Sequence, residues 1–369
     1  MAVDPTSVRF ARQRVLVGFG DDAQRRLAES HVLVIGAGGL GSAILPILAA
    51  AGVGILTVVD DDTVAESNLH RQTLHTDNDL GGAKAESAAE RLRALAPEAD
   101  IRVSTTRFVE GKTFDILLDV DVLVDASDNP ATRYLANDAA AIRAIPLVWG
   151  SALGYAGQVG VAWDDKGIDY RDLFPERQSP EDPSATSDSC DIVGVLPSVC
   201  GVIGSMMATE VFKIITGVGE PLLGRVAAYD ALTGRTREIE YRRDPEAPRP
   251  GSLEERTAMA EESSDRTVTA EALESELLAG DAPILLDVRE QWENEIVEIP
   301  GSKLIPLGEL PMRFSELDED AEIVVYCHHG VRSSRALNIL VQRGYTNVRH
   351  LTGGVDAWAV TVDPSLPRY

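Results

Sequence analysis

Cysteine is rare in this sequence, which contains Cys190, Cys200 and Cys327 among 369 residues. Three cysteines are too few for a disulfide framework, so we expect free thiols in a reducing compartment. The first 13 residues also lack the apolar stretch of a secretory signal peptide. Together these absences predict a cytoplasmic protein.

Basic residues are outnumbered, with 34 Lys and Arg against 59 Asp and Glu and a formal charge of −25. Contacts with nucleic-acid phosphates need clustered Lys and Arg, so this balance argues against direct nucleic-acid binding. Long apolar runs are scarce too, and the uncharged stretch at residues 192–209 contains Pro197 and several glycines. We interpret it as a buried turn followed by a helix, and not as a membrane span.

Strand and helix patterns alternate over the first part of the chain. Residues 31–35 form a short apolar run that ends in glycines, apolar residues at helical spacing follow from Leu40, and residues 55–59 form a β-branched strand. The alternation continues with helices at 84–95 and 133–142 and strands at 101–104, 122–126 and 146–149. Repeated βαβ units predict a parallel, Rossmann-like sheet.

Two segments interrupt these patterns. From about residue 164 to 191, prolines and a Ser/Asp-rich run predict a long mobile loop, named here the crossover loop. Residues 246–268 combine prolines and many charges with few large apolar side chains, which is typical of a linker. We therefore predict a first α/β domain over residues 1–245 and a small α/β domain over residues 269–369.

The loop after the first strand is rich in glycine: Gly36, Gly38, Gly39 and Gly41. Between a strand and a helix, such glycines let nucleotide phosphates approach the backbone N–H groups of the helix N-terminus. Asp60 ends the next strand, where an acid that binds ribose is expected. This motif alone fits a nicotinamide or flavin cofactor as well as ATP.

Further polar residues favour ATP. Asn68, Arg71, Gln72 and Lys84 supply amide and cationic donors, which a triphosphate needs more than a dinucleotide does. Asp128 follows a strand at the carboxyl end of the sheet, where ligands bind and where a carboxylate can hold Mg²⁺. We therefore expect ATP and Mg²⁺ at this site.

The first 245 residues resemble the MoeB/ThiF branch of ubiquitin-activating-type enzymes. The resemblance rests on residues 9–13, 36–41, Asp60 with Asp62, 68–72, Lys84, 125–129 and 201–205. It implies a homodimer that uses ATP to adenylate the C-terminal glycine of a ubiquitin-like sulfur carrier of the MoaD/ThiS type. The implied ATP-binding residues are Gly36, Gly38, Gly39, Gly41, Asp60, Asp62, Asn68, Arg71, Gln72, Lys84, Asn129 and Arg12.

The resemblance also implies individual roles. Asp60 binds ribose, Arg71 and Lys84 hold phosphates, Asp128 holds Mg²⁺, and Arg12 reaches across the dimer to the partner's ATP. Two Cys-x-x-Cys pairs that often bind zinc in this family are absent, and residues 169–172 (DYRD) replace the first pair. Without those thiolates we expect no zinc, and we expect residues 169–172 to form an exposed acidic loop.

The second domain contains a cysteine loop: Cys327, His328, His329, Gly330, Val331, Arg332 and Ser333. Loop N–H groups and a helix N-terminus aimed at a cysteine stabilise an anionic sulfur. With residues 286–290, 299–302 and 353–358, this loop resembles that of a rhodanese domain, which carries sulfur as a persulfide. Phosphatases place arginine six residues after the cysteine, but here that residue is Ser333, so the loop favours sulfur over phosphate.

The two loops together predict adenylation of a sulfur carrier, followed by sulfur transfer from a Cys327 persulfide to give a thiocarboxylate. The sulfur donor is expected to be a cysteine desulfurase or thiosulfate, and the pathway, with molybdopterin biosynthesis as one candidate, is left open. By the resemblance, Cys190 in the crossover loop forms a thioester with the carrier, resolves an acyl disulfide or has no role, whereas Cys200 lies in an apolar run. Two alternatives are an adenylating enzyme with a silent docking module and a nicotinamide-dependent oxidoreductase.

Overall fold

The computed structural model describes residues 3–108, 116–174, 194–245, 247, 249, 251, 266–279, 283–318, 321–328 and 330–367. They form two compact units. The first contains the described residues up to 174 and from 194 to 251, and the second contains those from 266 onward. Most of the predicted linker and of the predicted crossover loop lies outside the described residues.

The first unit is built on an eight-stranded sheet. Its strands are β1 His31–Ile35, β2 Ile55–Val59, β3 Asp100–Ser104, β4 Val122–Asp125, β5 Leu147–Leu153, β6 Ala156–Ala162, β7 Arg225–Asp230 and β8 Arg235–Glu240. The order is β3-β2-β1-β4-β5-β6-β7-β8, with β1 to β5 parallel and β6 to β8 joined antiparallel. The parallel half confirms the predicted Rossmann-like α/β fold, and β1 is buried at every residue because helices cover both faces.

The helices of this unit follow the apolar spacing of the sequence. They are α1 Ala11–Arg14, α2 Gly20–Glu29, α3 Gly39–Ala51, α4 Lys84–Leu95, α5 Pro130–Ile142 and α6 Pro197–Thr216. In α3, the side chains of Leu40, Ile44 and Leu48 are buried in the core. This helix begins directly after the glycine loop, so its N-terminus faces the carboxyl end of β1.

Helix α6 includes most of the uncharged stretch noted in the sequence. Among the described helices it is the one that is long and apolar enough, by length and composition, to cross a membrane. Core helices pass the same test, and here Val199, Ile203 and Met207 are fully buried in the main core of the first unit. The helix packs on α3 and on strands β5 and β6. These contacts agree with the predicted buried helix.

The expectation of an exposed acidic loop at residues 169–172 is wrong. Asp169 is 2% exposed, and the Asp172 side chain is fully buried. Asp172 Oδ1 accepts hydrogen bonds from the backbone N–H of Asp244 at 2.9 Å and from Arg249 Nη2 at 2.5 Å. The Asp172 carboxylate can be buried because these donors replace water. The described residues 164–174 also contain the short helices Asp164–Lys166 and Tyr170–Asp172, so the predicted mobile loop starts too early.

The second unit has a five-stranded parallel sheet. Its elements are β9 Thr267–Val268, α7 Ala270–Ala279, β10 Ile284–Asp287, α8 Gln291–Ile296, β11 Lys303–Leu304, α9 Leu310–Arg313, β12 Ile323–Tyr326, α10 Val331–Gln342, β13 Val348–Leu351 and α11 Gly354–Thr361. The strand order is β11-β10-β12-β13-β9, with β12 in the middle. Two apolar clusters include alternating residues of β12, and this burial on both faces is typical of a parallel sheet. The predicted small α/β domain is confirmed.

Candidate nucleotide site and cysteine loop

The glycine loop joins β1 to α3 and lies against the end of β4. Gly36 has a φ of 95°, and a Cβ there would lie 2.9 Å from the carbonyl oxygen of Ala126. Only glycine adopts this conformation without strain in so little space. A Cβ on Gly39 would lie 2.9 Å from Cys200 Sγ. The loop is therefore packed closely against the end of β4 on one side and against a side chain of α6 on the other.

Asp60, at the end of β2, hydrogen-bonds to this loop. Its Oδ2 accepts the backbone N–H of Ala37 at 2.7 Å, and its Oδ1 accepts the N–H of Asp62 at 2.9 Å. Burial raises the pKa of Asp60 above its usual value, and these bonds and the Lys84 charge oppose that shift. The structure thus places the predicted ribose-binding carboxylate directly beside the predicted phosphate loop.

Lys84 is buried at the first position of α4. Its Nζ lies 2.8 Å from Asp62 Oδ2, and its side chain is 6% exposed, against 68% for that of Asp62. A buried ammonium paired with an exposed carboxylate can exchange that partner for a phosphate without large movement of the backbone. Three of the predicted residues, Asp60, Asp62 and Lys84, are therefore neighbours.

A turn on another side of the glycine loop contains Asn68, Arg71 and Gln72. The backbone N–H groups of Arg71 and Gln72 donate to the carbonyl of Asn68 at 3.1 and 2.9 Å. Gln72 is 4% exposed, and its Nε2 would lie 3.5 Å from a Cβ on Gly38. Within the described residues, Gln72 Oε1 is buried without a hydrogen-bond partner. Such an acceptor beside a glycine loop fits a ligand that brings a hydroxyl or amino donor.

Asp128 and Asn129 follow β4. Asn129 Oδ1 accepts the N–H of Ala131 at 2.9 Å and so caps α5, whereas Asp128 is exposed in the turn before it. No group of three or more His, Cys, Asp or Glu that could hold a metal occurs among the described residues. A single carboxylate fits Mg²⁺, which enters such sites with phosphate and water ligands. The expectation that the chain binds no zinc stays a prediction.

Arg12 is exposed on α1, near the far end of α3. Phe10 and the Gln13 side chain contact Gly52 and the Ala51 carbonyl, where α3 ends. A helix of 13 residues is about 20 Å long, so α1 lies far from the glycine loop of its own chain. The role of Arg12 in a partner's site remains a prediction.

Two residues that sequence reasoning did not place at the site contact the glycine loop. His75 Nε2 lies 2.9 Å from the carbonyl oxygen of Ala37. His75 follows Gln72 by three positions in a turn, where no apolar periodicity identifies it in the sequence. Cys200 is buried as predicted, but it borders Gly39, and burial raises the pKa of its thiol while the Arg71 charge opposes that shift. Cys190 lies outside the described residues.

The cysteine loop follows the central strand β12 of the second unit. Cys327 is 1% exposed, and its Sγ accepts the backbone N–H of Gly330 at 3.1 Å. Gly330 has a φ of 99°, which turns its N–H inward and starts α10 at Val331. Ser333 Oγ donates to the Gly330 carbonyl at 2.9 Å and lies 3.7 Å from Sγ. His328 is half-buried and His329 lies outside the described residues.

Arg332 is held by Glu293 of α8. Its Nη1 and Nη2 lie 2.5 and 2.6 Å from the two carboxylate oxygens of Glu293, which is 4% exposed. Glu293 Oε2 also accepts the N–H of Glu290 at 2.9 Å. The pair neutralises the arginine, so backbone N–H groups are the clearest anion donors at Cys327. His350, near Ser333, has its pKa lowered by burial.

Comparisons with known proteins match both units. The ThiF family matches residues 10–249, and the rhodanese-like domain matches residues 269–361. The chain is 40% identical to a probable adenylyltransferase/sulfurtransferase, MoeZ, of Mycobacterium tuberculosis, over 98% of this chain and 95% of that protein. It is 34% identical to the adenylyltransferase and sulfurtransferase MOCS3 of Arabidopsis thaliana, over 98% and 85%.

Solved structures agree on the fold of the first unit. The structure of E. coli MccB with ATP aligns with a TM-score of 0.56 at 19% identity, over 66% of this chain and 74% of that one. MccB with succinimide aligns with a TM-score of 0.58 at 20% identity, over the same shares. At such low identity these similarities establish the fold alone.

Proposed function

Because the chain belongs to the ThiF family and carries a rhodanese-like domain, it is an adenylyltransferase and sulfurtransferase, and we propose the two steps that it catalyses. In the first step, the C-terminal carboxylate of a ubiquitin-like sulfur carrier attacks the α-phosphate of ATP and releases pyrophosphate. In the second, a persulfide on Cys327 displaces AMP from the acyl-adenylate. The nicotinamide-dependent alternative is not favoured by these relatives.

The observation that most supports the first step is the group of residues around the glycine loop. Lys84 and Arg71 supply positive charge, the backbone N–H groups at the start of α3 supply donors, and Gln72 Oε1 supplies a buried acceptor. Asp60 accepts one bond at each oxygen, and each oxygen has capacity for a second from a ribose hydroxyl. Attack of a carboxylate on a phosphate needs positioning and charge stabilisation more than a protein nucleophile.

Asp128 is proposed as the Mg²⁺ ligand. It lies in the exposed turn after β4, and β4 pairs with β1, the strand that the glycine loop follows. The ion would neutralise charge on the triphosphate. Asp128 itself would hold the ion with one carboxylate and leave the remaining positions to phosphate and water.

The second step is supported by the environment of Cys327, whose buried sulfur accepts the backbone N–H of Gly330 at the start of a helix, as an anionic sulfur requires. The terminal sulfur of its persulfide attacks the acyl carbon and AMP leaves, which gives an acyl disulfide between the carrier and Cys327. A thiol then attacks the Cys327 sulfur of that bond, so the carrier departs as a thiocarboxylate and a disulfide remains for reduction. Cys190 is a candidate for this thiol, and the two alternatives are thioester formation at Cys190 and no role for Cys190. The sulfur donor is proposed to be a cysteine desulfurase or thiosulfate.

We also propose a cytoplasmic homodimer in which Arg12 reaches the partner's nucleotide. The region around Arg12 supports the dimer, because it exposes four apolar side chains that an interface would cover: Val8, Val15, Leu16 and Val17. One face of α6 adds an open apolar groove that includes Val202 and Met206. Sedimentation of the full chain tests the dimer, and a monomer at micromolar concentration would contradict it.

The intact mass of candidate carriers tests the function. Each carrier is incubated with the full chain, Mg²⁺-ATP and a persulfide donor, and the expected product gains the mass difference between sulfur and oxygen. Omission of ATP is the control and should leave the carrier unchanged. A carrier that is adenylated but never gains sulfur would support the docking-module alternative for the second domain.

A further inference from the structure

We propose that His75 is a positioning residue for ATP, which fixes the glycine loop through the carbonyl of Ala37 without touching the nucleotide. The inference rests on the proposed nucleotide site. It goes beyond that site because His75 belongs to none of the segments that the phosphate motif identifies.

The Ala37 peptide groups are held from two sides. The N–H of Ala37 donates to Asp60 Oδ2 at 2.7 Å, and its carbonyl oxygen lies 2.9 Å from His75 Nε2. Ala37 itself is fully buried. Gly36 and Gly38 flank Ala37 and have no side chains to restrain them, so these two bonds act with the backbone bonds from the Gly36 N–H to the Val59 carbonyl and from the Ser42 N–H to the Gly38 carbonyl to fix the loop. The loop's donors are therefore oriented before a nucleotide arrives.

The hydrogen bonds identify the tautomer of His75. A carbonyl oxygen can only accept, so Nε2 must bear the proton. Nδ1 lies 2.9 Å from Ser87 Oγ, whose hydroxyl can donate to it. Ser87 is one helical turn after Lys84 on α4. The ring thus joins the glycine loop to the helix that carries the predicted phosphate-binding lysine.

The backbone of His75 makes the third connection. Its N–H donates to the carbonyl of Gln72 at 3.0 Å, so the ring is anchored in the turn that supplies Arg71 and Gln72. One buried residue therefore sets the relative positions of the loop, the turn and α4. A displacement of about 1 Å in such a site can cost about a hundredfold in rate. What distinguishes His75 is that one of its two ring contacts is the carbonyl oxygen of the glycine loop itself.

His31 provides a matched control. It is also 4% exposed, and its ring bonds to the Asp119 carbonyl at 2.9 Å and to Thr57 Oγ1 at 2.8 Å. It lies at the other end of β1, about 13 Å from the glycine loop along the strand. Both histidines contribute to the core, but only His75 contacts the loop. Loss of core packing alone would therefore affect both variants alike.

The experiment measures the Kd of Mg²⁺-ATP for the full chain by calorimetry, with the thermal midpoint beside it. His75→Phe keeps a ring but removes both hydrogen bonds, and we expect the Kd to rise about tenfold or more. His75→Gln retains an N–H that can reach Ala37 and should recover most of that loss. His31→Phe should lower the thermal midpoint and leave the Kd within about twofold.

The outcomes separate the inference from the proposed function. Wild-type protein that does not bind Mg²⁺-ATP would contradict the proposed function itself. A wild-type Kd for Mg²⁺-ATP in His75→Phe would overturn the positioning role. So would a rise in Kd in His31→Phe as large as that in His75→Phe. If His75→Phe does not fold, Ser87→Ala decides, because it frees the ring without removing it. We then expect a Kd about threefold higher, and an unchanged Kd would refute the inference.

Discussion

Replacement of Arg133 by Met tests the buried ion pair beneath the turn that carries Asp128. Arg133 Nε lies 2.6 Å from Asp125 Oδ2, and Nη2 donates to the carbonyls of Ser127 at 2.9 Å and Gly150 at 2.8 Å. Asp125 has no exposed surface. Methionine fills similar space but leaves a buried carboxylate and two carbonyls without these donors.

The expected magnitude follows from that burial. Breaking a buried pair by removing one partner costs about 3–5 kcal/mol. A domain of this size shifts its Tm by about 2–4 °C per kcal/mol, so the transition of the first unit should fall by roughly 6–20 °C. The turn before α5 should also shift, because Arg133 holds the Ser127 carbonyl directly. ATP binding should weaken at temperatures where the unit is still folded.

Scanning calorimetry of the full chain is the assay, and the transition of the second unit serves as an internal reference. Arg102→Met is the control, because Arg102 pairs with Asp100 at 2.8 Å with both side chains about half exposed. Exposed pairs contribute about 0–1 kcal/mol, so that Tm should hardly change. The double variant Asp125→Asn with Arg133→Met should regain part of the loss. Equal Tm shifts in Arg133→Met and Arg102→Met would show that the buried pair contributes no more to stability than an exposed pair.

Three further predictions concern catalysis and pH. Asp128→Ala should abolish carrier-dependent ATP–pyrophosphate exchange at an unchanged Tm, since it removes the exposed carboxylate that we propose as the Mg²⁺ ligand; normal exchange would exclude Asp128 from the site. Cys327→Ala should still adenylate the carrier but yield no thiocarboxylate from a persulfide donor, and mass spectrometry showing equal product from both proteins would contradict its role. Burial lowers the pKa of His31, His75 and His350 below 6.5, so the unfolded chain takes up protons first as the pH falls. The free energy of unfolding should therefore be lower at pH 5.5 than at pH 7.5 in urea titrations, and a rise would show that other groups dominate.

The sequence determined the features that depend on local chemistry. The glycines after a short apolar run predicted the strand, loop and helix that the structure contains at residues 31–51. The cysteine loop likewise predicted a strand end followed by a helix N-terminus, and Cys327 lies there with a backbone N–H on its sulfur. Such features are readable because glycine conformation, apolar periodicity and helix ends act over a few residues.

Which polar side chains contact one another depends on how distant elements of the chain pack together. Residues 169–172 are charged and precede a proline-rich run, so the sequence predicts that they are exposed. In the structure, Arg249, 77 residues after Asp172, donates to the Asp172 carboxylate, and Asn137, 32 residues before Asp169, donates to the Asp169 carboxylate. The same holds for His75 on the Ala37 carbonyl, 38 residues apart, and for Glu293 on Arg332, 39 residues apart. A buried charge or imidazole is stable only with its partner, and packing of distant elements supplies that partner. No local pattern encodes such a meeting, so the positions of these donors and acceptors become visible only once the sheet and its helices are assembled.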